Sequence, residues 1–277
     1  MNVYAIGASQ NIGYHTAVRL LEKGATVTFL VRRPTAFDGN DTMQHFLREG
    51  KARLVQGDAL KLEDVARGWA EAQAASASGD VDVALFSVGG ALKIDWLFRG
   101  TINPHNLCSL AILNLLRTLP ATLRSPDRQP KFVVVSTTGA TRSSHARLPF
   151  LMRLFYNQLL TQPHVDKFNV ERVLAYADGA RWEDGGYRAD ILPASWQDAE
   201  GMPTRGELKH VLVVRPAFLT NGPAKGDVKG SGAYRVVEDE RGSEGYTISR
   251  KDVAHFIVEQ GLAEWERWEG KRVTVAY

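Results

Sequence analysis

Apolar positions along the chain follow two alternating rhythms. Short aliphatic or β-branched runs occur at VYAI (3–6), ATVTFLV (25–31), ARLVQ (52–56), VDVALFSV (81–88), KFVVVST (131–137), HVLVVRP (210–216) and KRVTVAY (271–277), and each predicts a strand. Between them the spacing changes. Tyr14, Ala17, Val18 and Leu21 recur at i, i+3, i+4 and i+7, the signature of an amphipathic helix, which Gly24 ends. Further helices are predicted over 41–49, 62–74, 104–119, about 148–161, about 164–177 (with Pro163 between the last two) and 250–263. Near-continuous apolar strands separated by helices predict an α/β fold, a Rossmann-like doubly wound parallel sheet covered on both faces with right-handed crossovers. Two stretches, 178–209 and 217–247, lack periodicity and are rich in Gly, Pro and charge. No repeat or linker divides the chain, so one domain over 1–277 is expected. The irregular stretches would form a small substrate lobe over the carboxyl edge of the sheet.

Composition narrows the class. The 277 residues are 44% hydrophobic and 23% charged, the balance of a soluble globular protein with a large core. The net charge of +3 comes without a run of Lys or Arg, so no nucleic-acid partner is expected. No apolar stretch of membrane-spanning length occurs, and a strand starting at Asn2 or Val3 leaves no room for a signal peptide. The lone Cys108 cannot pair within the chain and fits a reducing, cytoplasmic compartment.

Candidate chemistry gathers at the strand ends. AIGASQNIG (5–13) joins the first strand to the first helix. Gly7 permits a tight turn and Gly13 a close approach. A helix leaves from about Ile12, and its free N–H groups and dipole favour phosphate; Ser9 and Asn11 can donate hydrogen bonds to it, with Gln10 between them in the same turn. The motif alone is weak, since any strand–helix loop can hold two glycines. The second strand ends in FLVRRP: Arg32 stands 19 positions after Gly13, where a dinucleotide fold often carries an acid for the ribose. Arg32 and Arg33 suit a 2′-phosphate instead, which points to NADP rather than NAD; the simpler alternative is a solvated strand end. Asp58 and Ala59 end the third strand, placed for an adenine. Ser87, Val88 and Gly89 end the fourth with residues that let backbone approach a ribose. Four such ends on one sheet edge argue together for a cofactor site.

These motifs, with DKFNVERVL, LVVRPAFLTNGPAKG and ISRKDVAHFIVE, resemble the NAD(P)H-binding family of atypical short-chain dehydrogenases, which includes the biliverdin reductase B/flavin reductase-like and NmrA-like proteins. The resemblance spans 1 to about 175 and 210 to the end, leaving out 178–209. It implies that Pro216, Ala217 and Phe218 lie beside the nicotinamide, that the turn Ser136–Thr138 borders the active site, and that Lys167 holds a ribose; Ser136, Thr137 and Lys167 are the catalytic candidates. The sequence departs from the classical Tyr-x-x-x-Lys pair. Tyr156 is followed four residues on by Leu160, and four residues before Lys167 stands Pro163, with His164 beside it. Gln10 stands where relatives usually have glycine. Flavin-reductase-like members work without that tyrosine, so the cofactor carries over and the general acid does not.

Other chemistry is less supported. The seven histidines (15, 45, 105, 145, 164, 210 and 255) have no ligand-like spacing, so no metal is expected. VSTTG around Ser136 is not the G-x-S-x-G of a hydrolase. Trp182, Tyr187 and Trp196 either line a pocket or pin a long loop. The expectation is therefore an NADPH-dependent reductase, passing hydride to a small carbonyl, enone, quinone or flavin-like acceptor. The alternatives are a non-catalytic NmrA-like NADP(H) sensor and a redox-neutral isomerase or cyclase. A small-molecule substrate is expected as partner, and the oligomeric state is open.

Overall fold

The structure is a computed structural model that describes residues 1–96, 99–146, 159–238 and 245–277. Its centre is an eight-stranded sheet. In chain order the strands are β1 (Asn2–Ile6), β2 (Thr26–Val31), β3 (Ala52–Gln56), β4 (Val83–Phe86), β7 (Lys131–Val135), β8 (Val211–Pro216), β10 (Arg235–Glu238) and β12 (Arg272–Ala276). Two short ribbons lie outside it: β5 (Lys93–Ile94) with β6 (Gly100–Thr101), and β9 (Phe218–Thr220) with β11 (Thr247–Ser249). The spatial order is β10-β12-β8-β7-β4-β1-β2-β3. The seven strands expected from the sequence all run parallel, and β10 alone joins antiparallel, along β12.

Side chains alternate across this sheet as the pleat requires. Val3, Ala5, Val83, Leu85, Val133 and Val135 enter one core, shared with helices α1 (Asn11–Glu22), α2 (Asp41–Arg48) and α6 (Arg250–Phe256). Tyr4, Ile6, Ala84, Phe86, Phe132 and Val134 enter the other, against α3 (Leu62–Ala74), α4 (Leu107–Arg117) and α5 (Thr161–Ala177). Both faces are thus dry, which is why the strands read as unbroken apolar runs.

The differences from expectation are local. Pro163 does not separate two helices: it sits in the first turn of α5, where a missing N–H leaves no helical bond unmade. The helix expected at about 148–161 falls almost wholly outside the described residues. The stretch 217–247 is not without secondary structure, since β9, β10 and the start of β11 lie in it. These strands are three or four residues long, too short to show a period. The stretch 178–209 contains a single turn of 3-10 helix among its described elements, Trp196–Asp198. Trp196, Met202 and Leu208 from it join the α3–α5 core.

Candidate functional site

The chain steps from β1 outward to β2 and β3, then returns to place β4 on the other side of β1. That reversal opens a crevice at the carboxyl ends of β1 and β4, the position where open α/β sheets bind ligands. Gly7, Ser87 and Val88 meet there. A Cβ on Gly7, whose φ is +75°, would lie 2.5 Å from the Val88 amide nitrogen. A Cβ on Gly13 would lie 2.7 Å from Ala8 Cα and 2.9 Å from the Gly7 carbonyl oxygen. Both glycines are therefore required by backbone packing, Gly7 against the end of β4 and Gly13 within the turn itself.

The start of α1 is open to an anion. Gln10, its N-cap, is extended (φ −156°, ψ 171°) and makes no side-chain capping bond, and no acidic residue lies in the first turn. Gln10 therefore needs no glycine geometry. The left-handed residue is Asn11 (φ 57°), a type that tolerates that region. Ser9, Gln10 and Asn11 are exposed and Ile12 is buried. The first-turn N–H groups remain for a ligand, as in other phosphate-binding helix starts.

Arg32 and Arg33 follow β2, both exposed, and neither is ion-paired with a described residue. Asp58 is half-buried: its Oδ1 accepts the Leu60 amide at 3.0 Å, and its own amide donates to Asp64 at 2.8 Å. The Ala59 carbonyl accepts from Asn114 at 3.0 Å. Both residues thus fix their own loop, whatever else they touch. Gly89 is exposed, with open space where a Cβ would go.

The other half of the edge is held by α5. Asp166, fully buried, accepts the amides of Cys108 and Ser109 at 2.8 Å each and the Ser109 hydroxyl at 2.5 Å, capping the start of α4. Lys167 Nζ donates to the carbonyls of Val88 and Val135, both at 2.8 Å, tying the ends of β4 and β7 together. Glu171 is buried against Arg215 of β8, which donates from Nε at 3.0 Å and also from Nη2. Ser136 Oγ donates to the same carboxylate at 2.5 Å. Burial alone would raise the Glu171 pKa, but the Arg215 charge and the hydrogen bonds from Arg215 and Ser136 outweigh it and hold the carboxyl below its usual range. Lys167 therefore does not pair with Glu171 one turn on, and the Ser136 hydroxyl proton is engaged by a carboxylate rather than offered to a substrate. Thr137 is half-buried with only a long contact, 3.3 Å, to the Thr138 carbonyl.

Pro216 and Ala217 are buried, while Phe218 is 42% exposed at the rim. Trp182 and Tyr187 pack on Phe168 at ring separations of 5.0 and 5.9 Å, beside Lys167. Trp196 instead packs on Tyr176, toward the far end of α5, so it pins the loop. His164 is buried, and desolvation, with the charges of Arg188 and His145, pushes its pKa down to about 3 and keeps the imidazole neutral. Burial raises the Cys108 thiol to about 12, which leaves it unreactive. Among the described residues no group of three potential metal ligands occurs, and no helix is long and apolar enough to cross a membrane. A separate cleft of about 750 Å3 opens at the opposite, amino edge of the sheet, near Met1, Val83, Lys131 and Trp265.

Sequence reasoning missed the Glu171–Arg215–Ser136 cluster and the Asp166 cap. One signal was available: an arginine inside the apolar strand VLVVRP demands a buried partner.

No family model matches the chain. It is similar to a reductase, pytE, of Aspergillus terreus (29% identity over 230 residues, 81% of this chain and 77% of that protein) and to an oxidase, pynE, of Aspergillus niger (27% identity, 95% of this chain and 90% of that protein). Among solved structures it is similar to ChuY, an anaerobilin reductase from Escherichia coli O157:H7, with a TM-score of 0.58 at 16% identity over 100% of this chain and 97% of that one. Likeness to this structure shows the fold, a Rossmann-like doubly wound α/β sheet, as the strand and helix pattern implies.

Proposed function

We propose that the chain is a cytoplasmic NADPH-dependent reductase acting on a small carbonyl, enone, quinone or flavin-like acceptor. The observation that carries the reading is the uncapped start of α1 at the β1–β4 crevice, followed at the end of β2 by two arginines that make no ion pair among the described residues. The site's residues fit the dinucleotide. The first-turn amides after Gly7 suit a diphosphate, Arg32 and Arg33 a 2′-phosphate, Asp58 and Ala59 the adenine, and Ser87–Gly89 the riboses. Two protons of the Lys167 ammonium are held by carbonyls, and its third is left for a ribose hydroxyl. Pro216, Ala217 and Phe218 bound the nicotinamide end. When bound, NADPH supplies a hydride to an acceptor carbon, whose displaced π pair is protonated from water. The protein's own part is orientation. Lys167 fixes the spacing of the β4 and β7 ends, Ser136 is locked to Glu171, and Thr137 lies in the turn after β7. The reductase name borne by the Aspergillus terreus relative supports the direction of transfer.

The test is loss of reduced-nicotinamide absorbance with a panel of quinones, enones and ketones. Acceptor-dependent oxidation of NADPH is expected. Tight NADPH binding with no oxidation by any acceptor would replace this reading with that of a dinucleotide sensor.

A further inference from the structure

Most arginines of this protein that approach an acid are ion-paired, among them Arg19, Arg53, Arg124, Arg128, Arg215 and Arg272. Two at the acceptor end are not. Arg142 and Arg188 both lie over the ring of Tyr187, with guanidinium carbons 5.5 and 4.9 Å from its centroid. Among the described residues neither guanidinium has a carboxylate at ion-pair distance. The nearby acid, Asp184, turns its Oδ2 to the Arg142 backbone amide at 3.1 Å, and desolvation raises its pKa against the pull of Arg142. Two cations thus share one nearby acid.

The pair is placed and held. Arg188 donates from Nε to the Ala140 carbonyl at 2.9 Å and from Nη2 to the Gly139 carbonyl at 3.0 Å, and its side chain also engages the Tyr187 hydroxyl, so its plane is fixed. Gly139 and Ala140 directly follow the Ser136–Thr138 turn. Tyr187 packs on Phe168, the neighbour of Lys167. A tethered, half-buried guanidinium beside an exposed one and an aromatic face is the arrangement that recognises a planar carboxylate, since the fork matches both oxygens and little side-chain entropy remains to be lost.

We propose that the acceptor carries a carboxylate, held by Arg142 and Arg188 at the end of the site away from the dinucleotide. The inference rests on the reductase reading for its location, and its own chemistry is anion recognition. It also gives the stretch 178–209, which the family motifs leave uncovered, a role: residues 184–188 bring the second arginine to the turn after β7.

The experiment uses trans-3-benzoylacrylate and its methyl ester, an enone pair differing by one charge. Calorimetric binding to the protein loaded with NADP+ is measured for wild type, Arg142→Met and Arg142→Lys, with Arg188→Met as a second position. The acid is expected to bind about tenfold tighter than the ester or better, the scale of one charge-assisted hydrogen bond. Arg142→Met removes that preference, leaves ester and NADP+ affinities unchanged, and Arg142→Lys restores part of it. Equal binding of acid and ester, no binding of the acid, or a preference that survives at both positions overturns the proposal. Preferential acid binding without NADPH oxidation supports carboxylate recognition and counts against the reductase reading alone.

Discussion

The two halves of the sheet's carboxyl edge are built by opposite means. Around β1, β2 and β3 the edge is made of backbone: a turn whose glycines touch main chain, a helix start without a side-chain cap, and two arginines that make no ion pair among the described residues. Around β4, β7 and β8 it is made of side chains from one helix. Asp166 caps α4, Lys167 bridges two strand ends, and Glu171 locks Ser136 to Arg215, all within two turns of α5. The open half leaves the first-turn amides of α1 without a side-chain cap. The closed half satisfies its own polar groups, and in the proposed reading it frames the place where a nicotinamide and an acceptor would meet. Binding and positioning are thereby assigned to different regions, and each can be broken separately.

The closed half should give the larger effect. Arg215→Met leaves the Glu171 carboxylate buried without its countercharge, and a loss of about 3–5 kcal/mol in unfolding free energy is expected in urea titrations. Replacing both, as Arg215→Met with Glu171→Leu, should recover most of it, because no charge then remains buried. The pH dependence has a definite sign. The Glu171 carboxyl is held below its unfolded value, so its contribution is complete above the ordinary carboxylate range, about pH 4.3, and is lost as pH falls through the lower folded value. The Glu171→Gln variant should lack this increment of acid sensitivity. A single-variant loss under about 1 kcal/mol would mean that the cluster holds nothing together.

The same contrast explains what the sequence made legible. All seven parallel strands and the turn between β1 and α1 are local signals, readable within ten residues. Asn11 was placed in the turn, though its left-handed φ shows only in the backbone. The lock on Ser136 joins residues 35 apart, and Arg215 and Glu171 are 44 apart; spacing in sequence carries no trace of that. DKFNVERVL was readable as a resemblance, yet the separate task of each charged residue in it depends on which strand end lies opposite. The short strands β9, β10 and β11 escaped because three or four residues cannot show a period, and their pairing is set by β12 and by each other.

Two glycines, Gly13 in the open half and Gly89 just past the end of β4, sharpen the distinction between packing and ligand space. Gly13→Ala pushes a methyl into Ala8 and the Gly7 carbonyl, so both stability (by about 1–3 kcal/mol) and dinucleotide affinity should fall. Gly89→Ala meets open space. Its stability should stay within about 0.5 kcal/mol of wild type, while NADPH affinity falls. Thermal melts with and without NADPH read both. If Gly89→Ala binds NADPH as wild type does, the dinucleotide does not pass over the end of β4.

The most direct measurement is the pair of dissociation constants for NADPH and NADH, by fluorescence titration of the wild type and of the Arg32→Ala/Arg33→Ala double variant. A 2′-phosphate on the two arginines predicts at least about tenfold tighter binding of NADPH, roughly 1.4 kcal/mol. In the variant that preference should disappear through weaker NADPH binding, with NADH affinity unchanged. Equal affinities in the wild type, or a preference that persists without both arginines, would contradict the account of the open edge as an NADPH site.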